Sequence, residues 1–429
     1  MKIINVDIKN LKRIKSSIKK SYSEFDSNLV QATEKIVEHV KKRGNKALFA
    51  YTKKFDNFDI NSRNLTVKKK EIDNAVKSIP KQLLKDLKTA AKRIETYQRR
   101  KLPNSQSFKD SLGNELGWEV RTIEKAGLYV PGGKAAYPST VLMTAIPAKV
   151  AGVNDISIVT PCPNGEINPT VLAAASICGV DKIYKVGGAQ AIAALAYGTS
   201  SVDKVDVIAG PGNIYVTIAK KLVFGAVGID TLAGPSEVLI IADGSCPPKW
   251  VAADLLAQAE HDEMAIPTLI TTSKTYAGKV KKETAKLLAS LPRKKIAGES
   301  IKRMGRIYTV RNLEIAAELS NTIAPEHLEL CIKNPRSLLK KITHAGAVFL
   351  GSMSTESYGD YIAGPSHVLP TGGASRFASP LSVYDFIKMP STIQISQKGF
   401  RALSDQVMNM AESEGLQAHA LSVKVRLNK

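Results

Sequence analysis

From about Trp118 the chain repeats one pattern: a short β-like run closes on a Gly/Pro turn and opens into an Ala-rich stretch of helical composition. This pattern constrains the fold more than any other feature, because strands separated by helices return in the same direction and pair in parallel. ISIVTP, KIYKVGG and KVDVIAGPG read as strands starting near 156, 182 and 204, and PTVLAAASICG and AQAIAALAYG have about the length that crossovers need. They predict a parallel sheet of four or five strands. EVLIIADG, PTLITTS, GRIYTVR and GAVFLGS offer four further strands, three of them separated by helical stretches, which predicts a second α/β core. Residues 1 to about 100 read as helical, with Val30, Ile36, Val37 and Val40 repeating at three and four. His39, among lysines, reads there as a surface histidine. The expected fold class is α/β, with two Rossmann-like parallel-sheet domains.

A chain of 429 residues with 44% hydrophobic content can bury two or three cores. Its 4 cysteines are widely spaced and form no C-x-x-C pair, which argues against a disulfide framework or a zinc-thiolate site and for a reducing, cytoplasmic setting. The start, MKIINVDIKN, has no apolar h-region, and no run reaches the roughly 18 apolar residues of a membrane span, so neither export nor insertion is expected. The formal charge of +22 raises nucleic acid as a partner. Most basic residues, such as Lys12, Lys15, Lys68, Lys69 and Lys70, fall on predicted exposed helix faces with no interleaved aromatic platform. A lysine-rich composition explains the charge better, and nucleic acid is not an expected partner.

Gly-rich turns after strands invite a nucleotide reading, but neither standard fingerprint is intact. In Gly210-Pro211-Gly212-Asn213-Ile214-Tyr215 a tyrosine stands where the third glycine belongs. Gly127 and Gly132 have P-loop spacing, but Gly133 replaces the lysine and Ala135 follows Lys134. The sequence Ala-Gly-Pro recurs at 209–211, 233–235 and 363–365. Turn punctuation accounts for the Gly-Pro pairs but not for the reactive residues next to them. Ser236-Glu237 and Ser366-His367 are expected at strand tips, the usual address of catalytic groups in α/β folds.

Residues 250–264, WVAADLLAQAEHDEM, read as one helix on which Asp254, Gln258 and His261 share a face. That stripe is either a solvated surface or one side of a metal site. Histidines number only 6, and His261, His327, His367 and His419 have carboxylate, amide or Gly-Pro neighbours. Glu326-His327 follows Ala324-Pro325, so two proton-transfer groups leave a rigid turn together. Asp360 lies in YGDYIAGPSH, and Glu414 and His419 lie in ESEGLQAH. Gln258, His261, Asp360 and His419 make a mixed nitrogen and oxygen set suited to zinc.

Taken in order, YVPGGKAAYPSTVLMTAIPAKVAGV, AGPGNIYV, AGPSEVLIIAD, LLAQAEHD, IAPEHLEL and GDYIAGPSHVLPTGG resemble the histidinol dehydrogenase family over about residues 25 to 425. The resemblance implies a four-electron oxidation of L-histidinol to L-histidine through histidinaldehyde, with two NAD used in succession. It implies Glu326 and His327 as the catalytic pair, with Glu326 activating water for the aldehyde step and His327 accepting protons. It further implies one zinc per subunit on Gln258, His261, Asp360 and His419, a substrate pocket completed by Ser236, His367 and Glu414, and NAD against Tyr129, Gln190 and Asn213. The corresponding division is a helical N-terminal arm over 1–24, a metal-bearing α/β domain over 25–125 and 235–382, an NAD-contacting α/β domain over 126–234 and a helical tail over 383–429.

The tail has too few residues for a core of its own and must dock on something larger. Because it carries Glu414 and His419, it is expected to complete the active site of a partner subunit, in a homodimer with shared sites. Two other readings stay open on the sequence: a zinc-dependent hydrolase, since the same residue types activate water, and a basic nucleic-acid-binding protein.

Overall fold

The structure, a computed structural model, describes residues 1–21, 25–132, 136–180 and 182–427. Gly133, Lys134 and Ala135 of the P-loop-like spacing lie outside the described residues. Each expected strand forms, and the helices between them impose parallel pairing throughout two sheets. One sheet has six strands in the order Lys2–Asn5, Arg306–Thr309, Ile266–Thr271, Glu237–Ala242, His327–Cys331, Ala347–Leu350. The other has five, in the order Lys182–Tyr184, Asp155–Val159, Lys125–Tyr129, Val207–Ala209, Gly228–Ile229. Both belong to the larger of two units, Met1–Lys101 with Glu124–Phe386.

Two strands of the six-stranded sheet escape the sequence reading. Lys2–Asn5 is an edge strand beside Arg306–Thr309, where helical texture is expected, because four residues are too few to show a period. His327–Cys331 is a central strand, disguised by the charged Glu329, which is fully buried. The central strand Glu237–Ala242 is buried along its whole length. Leu239 and Ile241 pack with Ile270, Tyr308, Leu328 and Leu330, while Val238, Ile240 and Ala242 pack with Leu269, Val251 and Val280. Each Val, Leu or Ile among them contributes ~1.5–3 kcal/mol of burial.

Packing divides the chain differently from the expected boundaries. Val6 and Ile14 join the core of the six-stranded sheet, so the first residues are a layer of that sheet rather than an arm. Ile36, Val40, Leu48 and Leu65 join Tyr129, Ile192 and Val216 in the core of the five-stranded sheet. Residues 27–101 therefore cover the five-stranded sheet: Ser27–Arg43 packs on Gly188–Tyr197 and Ile214–Val223, and Lys81–Lys101 packs on Pro138–Ala151. The helices they cover are apolar all round, so one helical layer cannot screen them from water and a second is needed.

Lys125–Tyr129 is flanked by Asp155–Val159 on one side and Val207–Ala209 on the other, so the strand order reverses there. A crevice opens at the carboxyl ends of such a pair. Gly210 closes it at φ +116, and a Cβ there would stand 2.2 Å from the Tyr129 carbonyl oxygen. The loop is clamped from below. Asp230 Oδ2 accepts from Gly210 N at 2.8 Å, the buried Lys220 donates to Gly210 O at 3.1 Å, and Lys220 and Asp230 pair with each other. Lys220→Met should cost ~3–5 kcal/mol, because Asp230 would be left as an unpaired buried charge. A denaturation midpoint equal to that of the parent would show that the clamp contributes nothing to stability.

The smaller unit comprises Leu102–Ile123 and Ile387–Lys429. Gln106–Lys109, Glu115–Trp118 and Ser391–Gln394 form an antiparallel sheet, and Arg121–Thr122 pairs with Ile387–Lys388. The tail thus folds with 102–123, a stretch the sequence reading assigns to the metal-bearing domain. Two helices complete it, Gln397–Ser413, capped by Ser396, and Gln417–Leu427.

Candidate active site

Glu237 and His327 begin adjacent central strands of the six-stranded sheet, with Val238 paired to His327 and Glu237 therefore beside Glu326. Of the two pairs expected at strand tips, Ser236-Glu237 stands at the start of its strand, while Ser366-His367 follows the helix Glu356–Tyr361 with no strand before it, which corrects the expectation for that pair. The amino end of the six-stranded sheet faces the carboxyl end of the five-stranded one. Between them lies a cavity of about 100 Å³ whose lining includes Gly210, Gly212, Ser236, Glu326, His367 and Thr371.

The turn that delivers Glu326-His327 is sharply specified. Ala324 adopts a left-handed φ of +53 and ends the helix Leu313–Ile323, after which Pro325 prevents its resumption. Glu326 Oε2 accepts from Glu237 N at 2.8 Å. His327 Nδ1 lies 3.0 Å from the Glu237 carbonyl oxygen, so in the neutral ring Nδ1 carries the proton and Nε2 is the nitrogen free to accept one. Nε2 is buried without a hydrogen-bond partner, 3.6 Å from Asp360 Oδ1.

The helix carrying the polar stripe is shorter than expected, running Pro248–Ala259, so His261 sits on the turn beyond it. The stripe is no solvated face: Gln258 is fully buried, and Asp254 hydrogen-bonds Thr355 and Glu329. His261 meets two carboxylates from a second helix. Glu356 and Asp360 stand at i and i+4 on Glu356–Tyr361, and one ligand atom from each of His261, Glu356 and Asp360 lies within 4.8 Å of the others. Glu356 is the residue the sequence reading missed, although its spacing from Asp360 was available as a signal. His367 is held in place by Nδ1 donating to the Asp360 carbonyl at 2.9 Å, with Nε2 3.2 Å from Thr140 Oγ1.

Tyr129 and Gln190 converge on Gly188. The Tyr129 hydroxyl accepts from Gly188 N at 3.0 Å, and Gln190 Oε1, which has no hydrogen-bond partner, lies 2.8 Å from where a Gly188 Cβ would stand. Asn213 is exposed, and its side chain caps the helix Ile214–Val223 by accepting from Tyr215 and Val216 N–H. Glu414 and His419 belong to the smaller unit, where both are exposed.

Burial dominates the electrostatics. It raises the Glu326 carboxyl to about 7 and, with the neighbouring Glu326 charge, raises Glu237 to about 8. Burial lowers the His261 and His367 imidazoles, which favours their neutral, donor form. For His327 burial acts downward, but Glu356, Glu326 and Asp360 outweigh it and the net shift is upward. A base, a carboxylate partner and a histidine–carboxylate cluster thus share one water-poor recess, an arrangement suited to proton abstraction beside a bound cation.

The sequence model of the histidinol dehydrogenase family matches residues 19–427. The chain is 51% identical to the histidinol dehydrogenase of Aquifex aeolicus over 398 residues, covering 93% of this chain and 92% of that protein. It is 49% identical to that of Clostridium acetobutylicum over 411 residues, 96% and 95% of the two chains. The crystal structure of histidinol dehydrogenase from Elizabethkingia anophelis superposes with a TM-score of 0.93 at 38% identity, over 100% of this chain and 98% of that one. Sequence and fold agree over the whole length, and the chain belongs to the histidinol dehydrogenase family of oxidoreductases.

Proposed function

We propose that this chain oxidises L-histidinol to L-histidine through histidinaldehyde, as the last step of histidine biosynthesis in the cytoplasm, using one zinc per subunit and two NAD in succession. The observation that carries the reading is the buried Glu326-His327 pair beside the His261, Glu356 and Asp360 cluster. The cluster fits a cation by its donor set: carboxyl oxygens of Glu356 and Asp360 converge with the His261 imidazole, which burial keeps neutral, and this is the mixed oxygen and nitrogen set that zinc takes. Gln258, His261, Asp360 and the partner subunit's copy of His419 would hold zinc. Bound there, zinc would fix the imidazole and amino nitrogens of the substrate.

His327 would take the hydroxyl proton of histidinol on Nε2, the ring nitrogen left bare by the Nδ1 contact to Glu237. NAD, when bound, would supply the hydride acceptor at that carbon. In the second step, once His327 has passed its first proton to solvent, Glu326 would take a proton from water as the water oxygen bonds the aldehyde carbon, and His327 would accept the hydroxyl proton of the resulting hydrate as its hydride leaves to the second NAD. Ser236, His367 and Glu414 would complete the substrate pocket. The net charge of +22 repels a cationic substrate, so Glu326, Glu356 and Asp360 must set the local potential. Tyr129, Gln190 and Asn213 would contact NAD at the strand-order reversal of the five-stranded sheet, a reading supported by the unpartnered Gln190 Oε1.

A homodimer with shared sites draws support from the smaller unit. Leu403, Val407 and Met410 are exposed at i, i+4 and i+7 on one helix, and Leu421 and Val425 at i and i+4 on the next, flanking Glu414 and His419.

Mixing enzyme, histidinol and NAD should form two NADH per histidinol consumed, and absence of NADH would overturn the reading. Dialysis against a strong chelator should remove one zinc per subunit, measured by elemental analysis, together with turnover, and zinc should restore both. Full turnover in a demonstrably metal-free sample would sink the zinc assignment. Glu326→Gln should slow aldehyde oxidation more than alcohol oxidation, because only the former needs activated water. Equal losses with the two substrates supplied separately would remove Glu326 from that role.

A further inference from the structure

Glu237 stands in the catalytic recess with no part in the proposed reaction. It is 3% exposed, begins the strand next to His327, and shares its backbone with both catalytic residues: its N–H donates to Glu326 Oε2 and its carbonyl receives His327 Nδ1. Its carboxyl is poorly provided for as an anion: Oε1 accepts a 3.2 Å contact from Gly372 N, the Glu326 backbone N–H adds a weaker one, and Oε2 is buried with no hydrogen-bond partner, so these donors do not offset burial beside a second carboxyl. Glu326, by contrast, has a 2.8 Å backbone donor, lies 3.7 Å from His327 Nδ1 and borders the cavity. Two carboxyl groups on neighbouring strand starts in a low-dielectric recess cannot both ionise near neutral pH.

We propose that Glu237 is a positioning residue for the water-activating base: it keeps its own proton, so that the Glu237 and Glu326 carboxyls carry one negative charge between them and that charge rests on Glu326. An ionised Glu237 would force Glu326 to retain its proton and would remove it as a base. The order of ionisation agrees, with Glu326 near 7 and Glu237 near 8. The titratable groups facing Glu237 are Glu326 and His327. Glu326 in turn faces His327 and Asp360, with His367 and the Lys220–Asp230 pair bordering the same cavity. Only the base role of Glu326 rests on the proposed reaction; the protonation state of Glu237 does not.

Infrared difference spectroscopy on the purified enzyme separates the two. At pH 7, wild type minus Glu237→Gln should show one un-ionised carboxyl band, titrating near the upper of the two ionisations. In Glu326→Gln, which removes the neighbouring charge, that band should titrate lower by about one pH unit or more. With aldehyde as substrate, Glu237→Gln should convert a two-step pH profile into a one-step profile, a change that a merely structural side chain would not produce. A Glu237→Gln difference spectrum without the band, or a titration unmoved by Glu326→Gln, overturns the proposal. Neither spectral result depends on whether histidinol is the substrate, which the NADH assay decides by itself.

Discussion

Replacing His327 by Asn should lower kcat for histidinol and, measured separately, for histidinaldehyde by ~10²–10⁴-fold, the contribution of a positioned general base. Both steps should suffer, because in each a hydroxyl proton must leave as hydride departs. The Asn amide can still donate to the Glu237 carbonyl in place of Nδ1, so the start of the strand keeps its hydrogen bond. What it lacks is a basic atom where Nε2 stands, 3.6 Å from Asp360. KM should change far less than kcat, since the lost interaction belongs to the transition state. Steady-state kinetics with each substrate check this, and a kcat within tenfold of wild type on either one would relieve His327 of the role for that step.

The second large effect is a recovery of activity. His419→Ala and His261→Ala should each be nearly inactive, since each removes a proposed zinc ligand. Unfolded and reassembled together, they should regain activity in about one quarter of all sites, because random pairing makes half the dimers mixed and each mixed dimer holds one site with both histidines. That result requires His419 to act in trans. It is expected of a small unit that exposes His419 and Glu414 among uncovered apolar side chains, Leu416 and Leu421 included. If mass spectrometry finds mixed dimers and turnover stays at the level of the single variants, the shared site is excluded.

Much of the architecture was legible in the chain because it is written locally. Apolar runs such as EVLIIA and LIT are buried on both faces, and Gly/Pro turns and Ala-rich crossovers separate them, so parallel sheets and strand positions follow from pattern alone. The reactive residue types were legible for the same reason: Glu326-His327, His261 and Asp360 each sit in short, chemically unusual contexts. Tertiary structure decided the rest. That Lys2–Asn5 pairs with a strand some three hundred residues away, that 25–101 shields the five-stranded sheet, and that 102–123 folds with the tail are outcomes of long-range burial, which no window of sequence contains. The site lies at the amino end of one sheet facing the carboxyl end of the other, so strand rhythm pointed to the tips without saying which. Glu356 joined His261 only when two helices met, and Glu237 met Glu326 only through strand register. Residue identity settles which chemistry is available; the distance and burial that turn it into a base, a cation site or a shared proton exist only once distant segments pack together.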